Sequence, residues 1–181
     1  MDYQLKRLKR TRITGGHALD FCADTMQLPG GRLETWDFIH HLHGGGAAVV
    51  PVLPDGRILL VRELRPAVDQ EMLELPAGAR DYPEEPGEEV AARELREETG
   101  YRAGKMSFLA KIYSAPAFCD ETTEIYLATD LQKEGDMQLD EAEEIQTEVY
   151  ELAELMQMIQ NGEITDGKTV AGIFAYAAKV K

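Results

Sequence analysis

Residues 85–101 read EPGEEVAARELREETGY, with Ala77 and Gly78 just upstream. Pro86 suits the first turn of a helix, because its missing N–H has no intrahelical partner there. Glu88 and Glu89 fall near the positive end of the helix dipole. Gly100 supplies a left-handed stop, so the stretch predicts a helix over about 87–99. On it Glu94 and Glu98 stand four apart, one above the other on one face. Glu97 lies on the neighbouring edge, beside Arg93. Ala91, Ala92 and Leu95 form the opposite, apolar stripe. Stacked carboxylates repel unless a cation lies between them. Hard oxygen ligands with room for water and phosphate suit Mg²⁺ or Mn²⁺. A solvated acidic face is the plain alternative for the same charges.

Outward from this helix the chain alternates strand and helix signals. Residues 3–13, 17–27 and 31–42 read as three antiparallel strands, with turns at Thr14-Gly15-Gly16 and Pro29-Gly30-Gly31. Residues 47–53 and 57–64 read as a hairpin about Pro54-Asp55-Gly56. Further strands are expected at 71–75, 105–114, 122–129 and 145–150. Leu152, Leu155, Met156 and Ile159 fall at helical spacing, and Val170, Ile173, Phe174 and Ala177 mark a last helix near 167–180. The mixture suits a sheet covered by helices.

The 181 residues suit one domain with an N-terminal appendage, and 44% hydrophobic content is enough for a core. There are 33 acidic and 19 basic residues, a net charge of −14, which argues against general nucleic-acid or anionic-membrane binding. An anionic substrate then needs local cations. Cys22 and Cys119 imply no disulfide framework, and the basic N-terminus has no apolar run behind it. Both point to the cytoplasm. No run reaches transmembrane length. His40, His41 and His43 precede Gly44-Gly45-Gly46 and read as a strand edge rather than a metal cluster. No P-loop is found.

The order of residue types in the acidic helix resembles the Nudix hydrolase signature. Glu85, seven residues, then Arg93-Glu94-Leu95-Arg96-Glu97-Glu98-Thr99-Gly100-Tyr101 match it; six residues rather than the usual five separate Gly78 from Glu85. The extra residue falls in the Arg80–Pro83 loop, where an insertion costs little. Three flanking stretches are similar to the ADP-ribose pyrophosphatase branch: VRELRPAVDQEMLELPAG at 61–78, SAPAFCDETTEIYLA at 114–128 and LDEAEEIQTEVYELAEL at 139–155. In the second, Pro116 fills the place that marks nucleoside diphosphate sugar substrates, followed by Ala117 where Gly is usual.

The resemblance implies an α/β/α sandwich with a mixed central sheet over 45–181. It also implies a homodimer formed through the strand-rich region 1–44. The activity implied is Mg²⁺-dependent (or Mn²⁺-dependent) hydrolysis of a nucleoside diphosphate sugar, with ADP-ribose the leading candidate. GDP-mannose or another sugar nucleotide is the alternative, and a catalytically inactive nucleotide-binding module is the rival of a different class. Glu94 and Glu98 are the expected metal ligands, joined by the Ala77 carbonyl and an acid from the 140–144 loop. Glu141 and Glu143 have the spacing of a base and a further ligand, and Glu144 is the runner-up base. Glu97 would ligate a second metal or orient water. Arg93 would brace the carboxylates, while Glu85 is left between an arginine bridge, a metal and a cap. Arg65 either meets a phosphate or sits on a strand edge. Trp36, with Phe38 on the same strand face, belongs to a core or interface, or stacks on the base across the dimer.

Overall fold

The computed structural model describes residues 4–139 and 144–180. The strands and helices fall close to where periodicity places them, but the strand partners do not all follow sequence order. The first three strands, β1 (Lys6–Gly15), β2 (Leu19–Gln27) and β3 (Leu33–His41), form an antiparallel meander of their own. The next two are β4 (Gly45–Pro51) and β5 (Ile58–Arg65). They join at the expected turn, where Leu53 N–H donates to Arg57 O at 2.8 Å and Gly56 N–H to Leu53 O at 2.9 Å. The hairpin expected there ends after a single bridge, Val52–Ile58.

Beyond that bridge the two strands enter different sheets. β4 lies between β7 (Ala77–Ala79) and β10 (Thr122–Thr129), antiparallel to the first and parallel to the second. β9 (Lys105–Tyr113) closes that sheet antiparallel to β10. β5 is instead central to a sheet with β6 (Gln70–Glu74) and β12 (Gln146–Tyr150). The reason lies in the side chains of β4, all buried. A strand apolar on both faces needs cover on both and neighbours on both edges, which a two-stranded hairpin cannot supply. Short β8 (Tyr101–Arg102) and β11 (Gln132–Lys133) pair with each other.

Helices cover the two faces of the four-stranded sheet. Ala47 and Val49 of β4 pack against Val90, Ala91 and Leu95 of α1 (Gly87–Thr99). Ala48 and Val50 face the other way, into a core with Leu60, Leu75, Ile125, Leu155 and Ile173. That second core is closed by α2 (Leu152–Asn161) and α3 (Gly167–Lys179). The alternation along one strand thus separates the two cores of an α/β/α sandwich. α3 approaches closely because Gly172 has no side chain: a Cβ there would stand 2.5 Å from Leu75 Cδ1.

The N-terminal meander is attached through the 114–121 loop. Ile39 N–H donates to Phe118 O at 2.7 Å. Asp120 accepts from Arg10 Nη1 at 3.1 Å and from the His41 N–H at 2.9 Å, and it lies 2.7 Å from His40 Nδ1. Burial alone would push the Asp120 carboxyl up; these hydrogen bonds outweigh it and hold the group below its ordinary value. The histidines therefore serve the joint: His41 Nδ1 accepts from Gly45 N–H at 3.0 Å, and His43 Nδ1 lies 2.7 Å from Arg80 O.

Candidate active site

α1 spans residues 87–99 as expected, with Pro86 at its N-cap and Gly100 at φ 69° ending it. The Gly100 N–H returns to Arg96 O at 2.8 Å. The direction of its acidic ridge differs from expectation. Glu94 and Glu98 do not stand opposite the apolar stripe. They share its buried side, 8% and 4% exposed, while Ala92 faces solvent. A carboxylate is buried only where partners meet it, and β7 supplies them. Ala77 N–H donates to Glu98 Oε2 at 3.3 Å. Glu94 lies over Gly78, where a Cβ would come within 2.0 Å of Glu94 Oε1. A side chain at position 78 would have to displace the Glu94 carboxylate; with glycine there, the carboxylates meet the Ala77-Gly78 backbone.

Arg93 ties this group together. Its Nη1 lies 2.6 Å from Glu94 Oε1 and 3.4 Å from Glu97 Oε2, its Nη2 donates to Ala79 O at 3.0 Å, and its Nε is 3.8 Å from Glu85 Oε1. Burial would lower its affinity for the proton, but Glu94, Asp81, Glu85 and Glu97 together raise it. Glu85 does two things: it faces Arg93, and its Oε2 accepts the Asp81 N–H at 2.7 Å, closing the loop that carries the extra residue. Arg80 completes that loop, donating from Nε to Glu85 O at 2.9 Å and pairing with Glu124 at 3.1 Å.

On the other side of β7 lies a cleft of about 700 Å³. Ala77, Gly78 and Arg65 line it, as do Tyr113, Glu121 and Lys168. Its base is the upper edge of β4 and β10, and the start of α3 forms one wall. Arg65 is not a bare cation at a strand edge. Its Nε and Nη2 grip Glu74 as a fork at 2.9 and 2.7 Å, and Nη2 also lies 2.5 Å from Glu63 Oε1. Lys168 meets the same Glu74 and reaches Asp166 at 3.1 Å. Glu74 is 1% exposed. Burial pushes its carboxyl up, but the hydrogen bond from Arg65 and the charge of Lys168 outweigh that and lower it below 4.5.

A lowered folded-state value stabilises the fold above the ordinary value and is lost as the pH falls through the lowered one. Glu74→Gln is therefore expected to melt below wild type at neutral pH. The gap should narrow steadily as the pH drops under 4.5. Melting curves from pH 7 to 3 check this; a constant gap would remove Glu74 from the account.

The remaining expected residues fall elsewhere. Trp36 sits on β3, its indole N–H donating to Glu34 at 3.1 Å and its ring 6.4 Å from Phe38. It does not line the cleft within the chain. Pro116 is exposed on the loop that joins the meander. Glu97 is half-buried beside Arg93. Its backbone carbonyl accepts Gln138 N–H at 2.7 Å, which ties the chain leading to the acidic loop onto α1. Glu144 is exposed. Asp140, Glu141 and Glu143 lie outside the described residues. Among the described residues no three of His, Cys, Asp and Glu converge as a ready metal cluster. Sequence reasoning missed Glu74, Glu121, Asp166 and Lys168. Asp166 carries a local signal, since it caps α3 through Thr169 N–H at 2.9 Å. Nothing local tells that α3 begins against Arg65.

Known proteins resemble the chain over most of its length. The NUDIX domain model matches residues 42–172. An ADP-ribose pyrophosphatase of Bacillus subtilis is 32% identical over 169 residues, covering 93% of this chain and 90% of its own. An ADP-ribose pyrophosphatase of Mycobacterium tuberculosis is 35% identical over 156 residues, covering 86% and 74%. A crystal structure of an ADP compounds hydrolase superposes with a TM-score of 0.84 at 22% identity, over 99% of this chain and 96% of that one. The matched span contains the whole of α1, β7 and the cleft. With its sandwich fold and acidic helix, the chain belongs to the NUDIX domain family and is a Nudix hydrolase.

Proposed function

We propose that the chain hydrolyses the diphosphate bond of nucleoside diphosphate sugars with the help of Mg²⁺, ADP-ribose being the leading substrate. The observation that carries this reading is the pair of buried carboxylates, Glu94 and Glu98, packed on the Ala77-Gly78 backbone at the edge of a cleft. The donor types fit a hard cation: carboxylate oxygens beside the Ala77 backbone. Glu94, Glu98 and Ala77 would hold it, with Glu143 adding a ligand and Glu97 serving a second ion or a water. Bound divalent cations supply charge neutralisation for the diphosphate and a more acidic water.

The chain's own residues do the rest. Arg93 holds Glu85, Glu94 and Glu97 in place against their mutual repulsion. Water adds to one phosphorus, and the bridging P–O bond breaks. Glu141 takes the proton from the attacking water, Glu144 being the next candidate. The products are a nucleoside monophosphate and a sugar phosphate. Arg65 is within the cleft to meet the substrate, and Pro116 shapes the loop above it. The N-terminal region 1–44 would form a homodimer that brings Trp36 to the partner's base; exposed Leu8, Ile13, Leu19 and Leu33 on the β1–β3 meander support this. Among the described residues no helix is long and apolar enough to cross a membrane, and the proposed setting is the cytoplasm.

The test is a screen of the purified chain against sugar nucleotides, with and without Mg²⁺, read as phosphate released after added phosphatase. ADP-ribose should lead GDP-mannose in kcat/KM, and light scattering on the same sample checks the dimer. No metal-dependent turnover on any sugar nucleotide would leave the inactive binding module as the better reading.

A further inference from the structure

The loop between β7 and α1 carries one residue more than the usual pattern, and a buried arginine holds it. Arg80 stands just after β7 and is used by backbone and side chain alike. Its N–H donates to Gly45 O at 3.1 Å, and its carbonyl lies 2.7 Å from His43 Nδ1. Its Nε donates to Glu85 O at 2.9 Å, and its Nη2 meets Glu124 Oε1 at 3.1 Å. A longer loop has more conformations to lose on folding. Arg80 removes them by pinning the start of this loop to β4 and its end to its own guanidinium.

Glu124, on β10, is the anchor. Its Oε2 accepts the Tyr126 hydroxyl at 2.9 Å, and Lys111 Nζ lies 3.4 Å from its Oε1. Burial would push its carboxyl up, but the Tyr126 hydroxyl, Arg80 and Lys111 outweigh that and hold it below its ordinary value. Its Oε2 also faces the first residue of α1, since a Cβ on Gly87 would stand 2.3 Å from it. A carboxylate suits that end of a helix. The contact that needs this support is the one between Glu85 and Arg93. Arg93 Nε is buried without a hydrogen bond, 3.8 Å from Glu85 Oε1. Charge spans that gap but does not fix a direction across it. Glu85 is fixed instead by the Asp81 N–H at its carboxylate and by Arg80 at its carbonyl. Arg93 in turn carries Glu94 and Glu97.

We infer that Arg80, anchored on Glu124, is a positioning residue for the metal-holding carboxylates: it sets Glu85 against Arg93 and so tunes the affinity for the divalent cation from outside the site. This rests on the proposed function. Neither Arg80 nor Glu124 touches cation or substrate; both act through Glu85 and Arg93.

The test titrates Mn²⁺ into the full chain without substrate, the free ion being measured by its electron paramagnetic resonance. Arg80→Lys keeps a cation beside Glu124 but cannot hold Glu124 and Glu85 O at once. It should weaken Mn²⁺ binding about tenfold or more. The Mg²⁺ concentration for half-maximal hydrolysis of ADP-ribose should rise with it, and the rate at saturating Mg²⁺ should return. A purely structural part would lower the amount of active protein, and so the plateau, without moving either midpoint. Wild-type Mn²⁺ affinity in Arg80→Lys, or a lowered plateau with an unmoved midpoint, would overturn the inference. If wild type binds Mn²⁺ and Arg80→Lys matches it, this inference alone fails. If wild type binds no Mn²⁺, the metal site of the proposed function fails with it. Should Arg80→Lys melt early, Glu124→Gln stands in for it: it keeps an oxygen for the Tyr126 hydroxyl, removes the charge that anchors Arg80, and should shift both midpoints the same way.

Discussion

Replacing Glu98 by Gln is expected to abolish nearly all metal-dependent hydrolysis and to leave the fold standing. The side chain keeps its size, so the α1–β7 contact can persist, and the amide oxygen still accepts from Ala77 N–H. What is lost is the negative charge beside Glu94. A hard dication depends on that charge, and the fall in kcat should be at least about a hundredfold. The melting temperature without metal should stay within a few degrees, or rise, because removing one of two neighbouring carboxylates relieves repulsion. Steady-state rates over a Mg²⁺ titration, set beside melting curves with and without Mg²⁺, separate the two effects. Wild-type rates in the variant would take Glu98 out of the metal site. A collapse of the melt would assign it to folding instead.

The largest effect on stability is expected at Gly45. Its φ is 119°, a conformation that side-chain-bearing residues avoid. A Cβ there would stand 1.9 Å from Thr122 O and 2.7 Å from Thr122 N, both backbone atoms of the parallel neighbour. Nothing flexible can move aside. Gly45 also donates to His41 and accepts from Arg80 N–H at 3.1 Å, so the meander, β4, β10 and the box loop all meet at this residue. Gly45→Ala should cost about 3 kcal/mol or more, a drop of roughly 6–12 °C in Tm for a chain of this size. Gly56→Ala is the control. Its φ is 90°, yet nothing lies within 4 Å of the added Cβ, so only the backbone strain of about 1–2 kcal/mol applies. Urea unfolding of both variants tests the comparison. Equal losses would mean that the approach of β10 to Gly45 is not tight.

The same contrast shows how much of the site was legible in the sequence. The helix over 87–99 and its left-handed stop could be read directly, because Pro86, the spaced carboxylates and Gly100 act within a turn or two of themselves. The strand limits were nearly as clear. The hairpin between β4 and β5 was not, because an Asp-Gly turn says how the chain reverses and not how long the strands stay together. Burial on both faces drew β4 to β7 and β10 instead. The buried direction of Glu94 and Glu98 also escaped, since period-four spacing puts them on one face without saying what that face meets. Only the arrival of Ala77 and Gly78 settles it. Arg65 was legible as a cation before a proline. Its fork on Glu74, shared with Lys168, was not.

By itself the sequence determined the longer strands, the helices, the family and the placing of Glu94, Glu97 and Glu98 along one helix, because those depend on local spacing and on ordered residue types. The tertiary structure alone decided which carboxylates are buried, that Arg93 binds four groups at once, and that Asp166 and Lys168 line the cleft beside Arg65, with buried Glu74 holding both cations. The physical reason is range. Backbone periodicity and turn preference act over a few residues, whereas the energy of a buried charge depends on partners that the chain brings from far away.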